Sequence, residues 1–149
     1  MKSVLLVLLL AVVLCQEKTT GINKFLEMKN GAKVTVSKCM AETKLKILRI
    51  IVTPSEIIKG DDISLKVQIR ALEDITIKSL NVIAHYNGVK IFEDTKDQGK
   101  LLKKGEKFIY SYVQSVPTFT PSGAWDVNLY LKNEKDENIN CLLCHFDIE

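Results

Sequence analysis

The sequence predicts an all-β fold, an antiparallel sandwich or barrel, and three observations predict it. Apolar residues recur at every second position over most of the chain from Val34 onward, the period of strands with one buried face. Turn residues interrupt that alternation at a spacing of about ten residues, and Asn87-Gly88 among them is the strongest short hairpin signal. No stretch of comparable length carries a helical apolar period.

Taken in order, residues 16–33 are polar and weakly patterned, with a helical turn expected between Ile22 and Met28 ending near Gly31. Val34 and Val36 alternate before Cys39, and Leu48, Ile50 and Val52 alternate up to Pro54. Proline lacks an N–H for a central ladder, so that strand ends there. After the Lys59-to-Asp62 turn, Ile63, Leu65, Val67 and Ile69 alternate with polar neighbours. Ile75 and Ile77 lead into Leu80, Val82, Ala84 and Tyr86, and Val89 and Ile91 return after the hairpin. The polar run Glu93 to Lys107 reads as a connection. The densest alternation follows. Phe108, Tyr110 and Tyr112 share one face, then Trp125, Val127, Leu129 and Leu131, then Leu142, Cys144, Phe146 and Ile148. That makes seven or eight short strands.

At the start, Met1-Lys2 and the apolar run to Leu14 are too short to span a bilayer and fit a cleavable signal peptide over residues 1–15. Removing 15 of 149 residues leaves 134, a single domain over 16–149. Only Lys2 leaves with them among the charges, so 21 basic residues become 20 against 18 acidic, a net +2. Such balance excludes a nucleic-acid binder. The one local basic cluster, Lys103, Lys104 and Lys107, is either a solvated turn or a patch that meets an anionic membrane.

Secretion favours a disulfide among Cys39, Cys141 and Cys144. On the last strand Cys144 shares the inward parity of Phe146 and Ile148 and acts as a small apolar filler. Cys141 faces the other way and is assigned to Cys39. The Cys141-Leu142-Leu143-Cys144-His145 run matches the attachment signature of c-type haem, but residues three apart on a strand point to opposite sides. No cofactor is expected. Neither a zinc spacing nor a nucleophile elbow occurs, His85 and His145 stand in no catalytic motif, and no enzyme is expected.

These residues together resemble the ML lipid-recognition family, most closely its phosphatidylglycerol/phosphatidylinositol transfer branch and, less closely, its cholesterol-carrying branch. The resemblance runs from about Val34 to Ile148. It is carried by Cys39, Ile50-x-Val52-x-Pro54 with Gly60 after it, Ile77 through Val82 with Ala84, Tyr86 and Gly88, Gly105 with Phe108 and Tyr110, Val116-Pro117, Pro121-Ser122-Gly123-x-Trp125-x-Val127, and Cys141 with Cys144, Phe146 and Ile148. It implies an immunoglobulin-like antiparallel sandwich of two sheets with an apolar cavity between them. It implies a secreted or endolysosomal protein whose partner is a lipid, phospholipid or sterol, with transient membrane-surface contact. Joined first and last cysteines in the family agree with the Cys39–Cys141 assignment. The chain departs from the family in lacking a cysteine pair within Glu93 to Lys104, so that segment is expected to be a mobile loop.

On this reading the inward faces line the cavity: Val67, Ile69, Val82, Ala84, Phe108, Tyr110, Tyr112, Trp125, Val127, Leu129, Phe146 and Ile148. By family position Phe92 and the Phe119-Thr120-Pro121 link form the portal, with Lys103, Lys104 and Lys107 helping it meet a membrane. For each lining residue the alternative is a plain core position. A sandwich packed shut would instead make this a secreted interaction module that binds a protein partner through its loops.

Overall fold

In the computed structural model, which describes residues 31–149, alternation becomes backbone pairing in ten strands among those residues. They are β1 (Ala32–Lys33), β2 (Thr35–Lys38), β3 (Leu45–Thr53), β4 (Glu56–Ile57), β5 (Asp62–Ala71), β6 (Ile75–Tyr86), β7 (Val89–Leu102), β8 (Lys107–Ser115), β9 (Gly123–Lys132) and β10 (Asn138–Ile148). One antiparallel sheet has the order β2-β10-β9-β6-β7, a second β3-β5-β8, and β1 pairs β4 as a small third. The signal peptide over 1–15 and the turn expected between Ile22 and Met28 lie outside the described residues.

The inward faces of the two larger sheets meet in one core. Leu45 and Ile47 of β3, Val67 and Ile69 of β5 and Tyr110 of β8 pack with Ile77 and Leu80 of β6, Leu102 of β7, Leu131 of β9 and Leu142 of β10. Ala32, Ile57, Val116 and Ile148 form a second, smaller cluster, against which Trp125 and Phe146 pack. Each fully buried aliphatic side chain contributes about 1.5–3 kcal/mol, so the larger cluster carries most of the stability.

Two expectations are corrected. Register shifts between Ile47 and Arg49, so the inward set of β3 is Leu45, Ile47, Ile50 and Val52, and Leu48 is not part of the core cluster. The polar run after Glu93 is no loop: β7 continues through it to Leu102, paired along its length with β6. Its backbone is held by one neighbour, which asks nothing of its side chains, and inward or edge lysines are a common protection for such an edge. The inward parity of β6 switches from Ile75 and Ile77 to Leu80, Val82 and Ala84 where its register with β7 shifts, between Ile77 and Ser79.

Cys39 and Cys141 are disulfide-bonded across 102 residues with Cα atoms 5.1 Å apart. A closure of that length constrains the unfolded chain by roughly 4–5 kcal/mol on the entropic model. Asn87 and Gly88 both take positive φ at the β6–β7 hairpin, as a primed turn requires. Asn87 also receives the Ala124 N–H on its Oδ1 at 3.0 Å. Gly123 then has to be glycine, for φ is +139° and a Cβ there would stand 2.8 Å from Tyr86 Cε2 and 2.9 Å from Asn87 Oδ1. The Tyr86 ring cannot withdraw, since its hydroxyl donates to the Ser122 carbonyl at 2.6 Å and the ring packs against Trp125 at a 45° tilt, with centroids 5.0 Å apart. Gly123→Ala is expected to destabilise the protein by about 1–3 kcal/mol, read as a lower urea midpoint at unchanged slope.

On the outer face of the five-stranded sheet, Asp126 stands in register with both His85 and His145. His145 Nδ1 lies 2.7 Å from Asp126 Oδ1 and Nε2 lies 3.3 Å from Asp147 Oδ2. The Asp126 hydrogen bond, then its charge and Asp147, raises the His145 pKa above its ordinary value. A group whose folded pKa is raised stabilises fully below its unfolded pKa and loses that contribution as pH climbs through the folded value. The window therefore opens at the ordinary histidine value of about 6.5 and extends above it. Between pH ~6 and ~8 the native protein should lose more thermal stability than His145→Gln does; equal slopes would show that the ring is not coupled to folding.

Candidate functional site

The sandwich is packed at one end and hollow at the other. Between the large and small clusters lies an apolar cavity of about 230 Å³. One wall is the five-stranded sheet: Val82 and Ala84 of β6, Ile91 and Phe92 of β7, Trp125, Val127 and Leu129 of β9, and Cys144 and Phe146 of β10. The other is the three-stranded sheet: Val52 of β3, Ile63 and Leu65 of β5, and Tyr112, Gln114 and Ser115 of β8. Val34 and Ile57 close one side, and Val116, Pro117 and Thr120 of the β8–β9 link another.

What polar chemistry borders this space is already engaged. The Tyr112 hydroxyl donates to Gln114 Oε1 at 2.6 Å and Gln114 Nε2 donates to the Ser115 carbonyl at 2.9 Å. Ser115 donates to Asp62 at 2.6 Å and Thr120 to the Pro117 carbonyl at 2.6 Å. The Trp125 indole N–H donates to the Pro121 carbonyl at 3.1 Å. Burial and the nearby Asp94 keep the Tyr112 phenol above its ordinary pKa. Burial likewise pushes the Cys144 thiol up to about 11, so it is a neutral filler rather than a nucleophile. A surface whose polar atoms are satisfied by protein offers a guest dispersion and desolvation only.

Of the residues expected to line the cavity or its portal, Val82, Ala84, Phe92, Tyr112, Trp125, Val127, Leu129 and Phe146 do border it. Val67, Ile69 and Tyr110 lie in the packed end, fully buried and away from it. Tyr110 is the least expected of them, for its hydroxyl has no partner among the described residues. Phe108 packs at the edge of the same cluster, and Ile148 belongs to the smaller one. Phe119 is 84% exposed, in a link whose Pro117 and Thr120 border the cavity, and Pro121 is exposed beside it. Phe92, 43% exposed, both borders the cavity and reaches solvent.

Lys103, Lys104 and Lys107 are placed elsewhere. They stand at the β7–β8 turn, ten residues along β7 from Phe92, roughly 30 Å at strand rise, where Asp74 accepts the Lys104 N–H at 2.9 Å. Sequence reading missed Val34, Val52, Ile57, Ile63, Leu65, Ile91, Gln114, Ser115, Val116, Pro117 and Cys144 as wall residues. The inward parity of Val52, Ile63 and Leu65 was signal enough to include them. The haem-like run is split by strand geometry: Cys141 is in the disulfide, Cys144 faces the cavity and His145 the outer surface.

Comparison with known proteins bears on the same region. Over 111 residues the chain is 23% identical to a Dictyostelium discoideum protein provisionally named a phosphatidylglycerol/phosphatidylinositol transfer protein, covering 67% of this chain and 72% of that one. The crystal structure of a Niemann-Pick type C2 protein from the Japanese carpenter ant superposes at a TM-score of 0.58 with 21% identity, covering 77% of this chain and 99% of that one; at this identity the likeness is one of fold. The ML-domain profile matches residues 33–148, nearly all that the structure describes, and the chain belongs to the ML-domain family of lipid-binding and lipid-transfer proteins.

Proposed function

We propose that this protein is a non-enzymatic lipid carrier, secreted or endolysosomal, that holds one hydrocarbon chain between its two sheets. The observation that supports this most directly is the hollow end, whose polar neighbours all spend their hydrogen bonds inside the protein. A dry apolar cavity of about 150 Å³ is enough to bind benzene, and this one is larger, at about 230 Å³. It is smaller than the 300–1,000 Å³ or so typical of sites for drug-sized ligands. That range favours a slender acyl chain, partly inserted, over the rigid plate of a sterol. Each CH₂ buried contributes about 0.8 kcal/mol, so eight such groups supply roughly 6 kcal/mol with no polar contact.

Affinity of this origin leaves the head group at the mouth. Val89, Ile91, Phe92 and Phe119 are exposed there or next to it, and an apolar group of this kind meets a membrane surface without needing basic residues. A protein-binding module with a filled interior is the less favoured reading, because it has no use for a hollow that costs packing energy.

Trp125 is the single tryptophan of the chain and borders the cavity, so it reports occupancy. Titration with phospholipid brominated on its acyl chains should quench its fluorescence saturably, while unbrominated lipid competes the quenching away. Absence of quenching with both phospholipid and sterol probes would leave the carrier reading without support. Ala84 offers a complementary check, being small and on the wall. Ala84→Phe is expected to lower acyl-chain affinity at least ~10-fold, equivalent to two lost CH₂ contacts, with the melting temperature held or raised because the added ring fills existing space.

A further inference from the structure

The side of β7 that faces the interior is chemically out of place. Register with β6 sets Phe92 beside Ala84, Asp94 beside Val82, Lys96 beside Leu80, Lys100 beside Ile77 and Leu102 beside Ile75. All five β6 partners are buried core, so the strand should read apolar throughout; instead only its two ends do. β7 and β8 are each the edge of their own sheet, and they face one another along one open side of the sandwich. Lys96 Nζ stands 5.2 Å from the centre of the Tyr112 ring and Lys100 Nζ 5.9 Å from that of Phe108. This seam is therefore bridged by two ammonium groups laid on rings, rather than by interlocked aliphatic chains.

Lys96 differs from Lys100 in where its ring lies, since Tyr112 is a wall of the cavity and Phe108 is not. The Tyr112 hydroxyl is tied to Gln114, so the ring face under Lys96 is fixed. Five other lysines, Lys38, Lys44, Lys78, Lys90 and Lys103, stand within ion-pair distance of a carboxylate. Lys96 has no such partner among the described residues. An ammonium on a ring is weakly held and exchanges readily for an anion, and a phosphate oxygen makes the stronger, charge-assisted bond.

We propose that Lys96 is the head-group residue of this cavity: it moves from the Tyr112 ring to the phosphate of a lipid whose chain has entered beside it, so that phosphate-bearing lipids are preferred over uncharged ones with the same chains. The inference rests on the carrier reading above. Asp94, on the same face of β7 and close enough to act on Tyr112, opposes the anion and sets the preference at a moderate level. A merely protective edge lysine would have no such selectivity.

The test compares dioctanoyl phosphatidylglycerol with dioctanoylglycerol, lipids that differ by the phosphoglycerol head, as competitors of a brominated lipid that quenches Trp125. The native protein is expected to favour the phosphate-bearing lipid by about 10-fold, the range of one charge-assisted bond. Lys96→Met should bring that ratio close to one, Lys96→Arg should keep it, and Asp94→Asn should raise it. Dioctanoylglycerol binding in the same Lys96→Met sample reports that the cavity is intact. An unchanged ratio in Lys96→Met, or equal binding of the two lipids by the native protein, overturns the proposal and leaves the carrier reading standing. Binding of neither lipid by the native protein ends both. Soluble glycerol 3-phosphate distinguishes the source of the anion: it should not displace the bromolipid at millimolar concentration, and displacement would show a free-phosphate site instead.

Discussion

Two sheets that face each other can fill the space between them with their own side chains or stand apart around a hollow, and the choice is settled locally by what the facing positions hold. At the packed end of this molecule, branched aliphatic chains on β3 and β5 mesh with those on β6, β9 and β10 around Tyr110. At the other end the opposed residues include Ala84 and Cys144, too small to span the gap. Larger neighbours such as Trp125 and Phe146 are held sideways, stacked with ring centres 6.2 Å apart. The packed end provides the stability that a cavity would otherwise erode, since each unfilled volume costs its lining the contacts it lacks.

The hollow is kept apolar by bookkeeping of hydrogen bonds rather than by excluding polar residues. Tyr112, Gln114, Ser115, Thr120 and Trp125 all border or adjoin it and all carry donors. Each is bonded to a neighbour in the protein. The β8–β9 link is the centre of this arrangement: Pro117 and Pro121 supply carbonyls, and Gly123, where β9 begins, admits the close approach of Tyr86. The link thus shapes the wall and leaves Phe119 outside. Three buried side-chain atoms remain unpaired among the described residues, on Asn81, Tyr110 and Asn140, and none belongs to a cavity-lining residue.

Much of this was legible in the chain because period-two alternation states which face of a strand is inward. Parity alone assigned Cys141 to the outer side and Cys144 to the inner, and the disulfide follows it. It could not state how far apart the facing sheets stand, which is why Val67, Ile69 and Tyr110 read the same as Val82, Val127 and Leu129 although the two sets lie in opposite halves. A bulge resets parity without a sequence mark, so Leu48 was placed inward instead of Ile47. β7 escaped notice for a different reason. Hydropathy reports what side chains prefer, whereas an edge strand is held through its backbone, and the residues Asp94 to Lys100 satisfy the pairing with β6 while looking like a loop.

That same strand explains the unequal restraint of the two open sides of the sandwich. On the β2–β3 side, the connecting loop is fixed by the Cys39–Cys141 bond and by Glu42, which accepts the Ile47 N–H at 2.7 Å and pairs with Lys38. The Lys38 hydrogen bond, with that from the Ile47 N–H, holds the Glu42 carboxyl below its ordinary pKa. On the β7–β8 side the chain crosses between the sheets through the turn at 103–106, no disulfide lies there among the described residues, and two side-chain contacts between the strands are ammonium groups on rings, each worth about 0.5–1 kcal/mol when exposed. A cavity needs one side that yields at low cost and one that does not, or a guest would either never enter or unfold its host. On the proposed carrier reading, polar side chains on a face of β7 where the fold alone would have asked for valine leave this side the easier one to open.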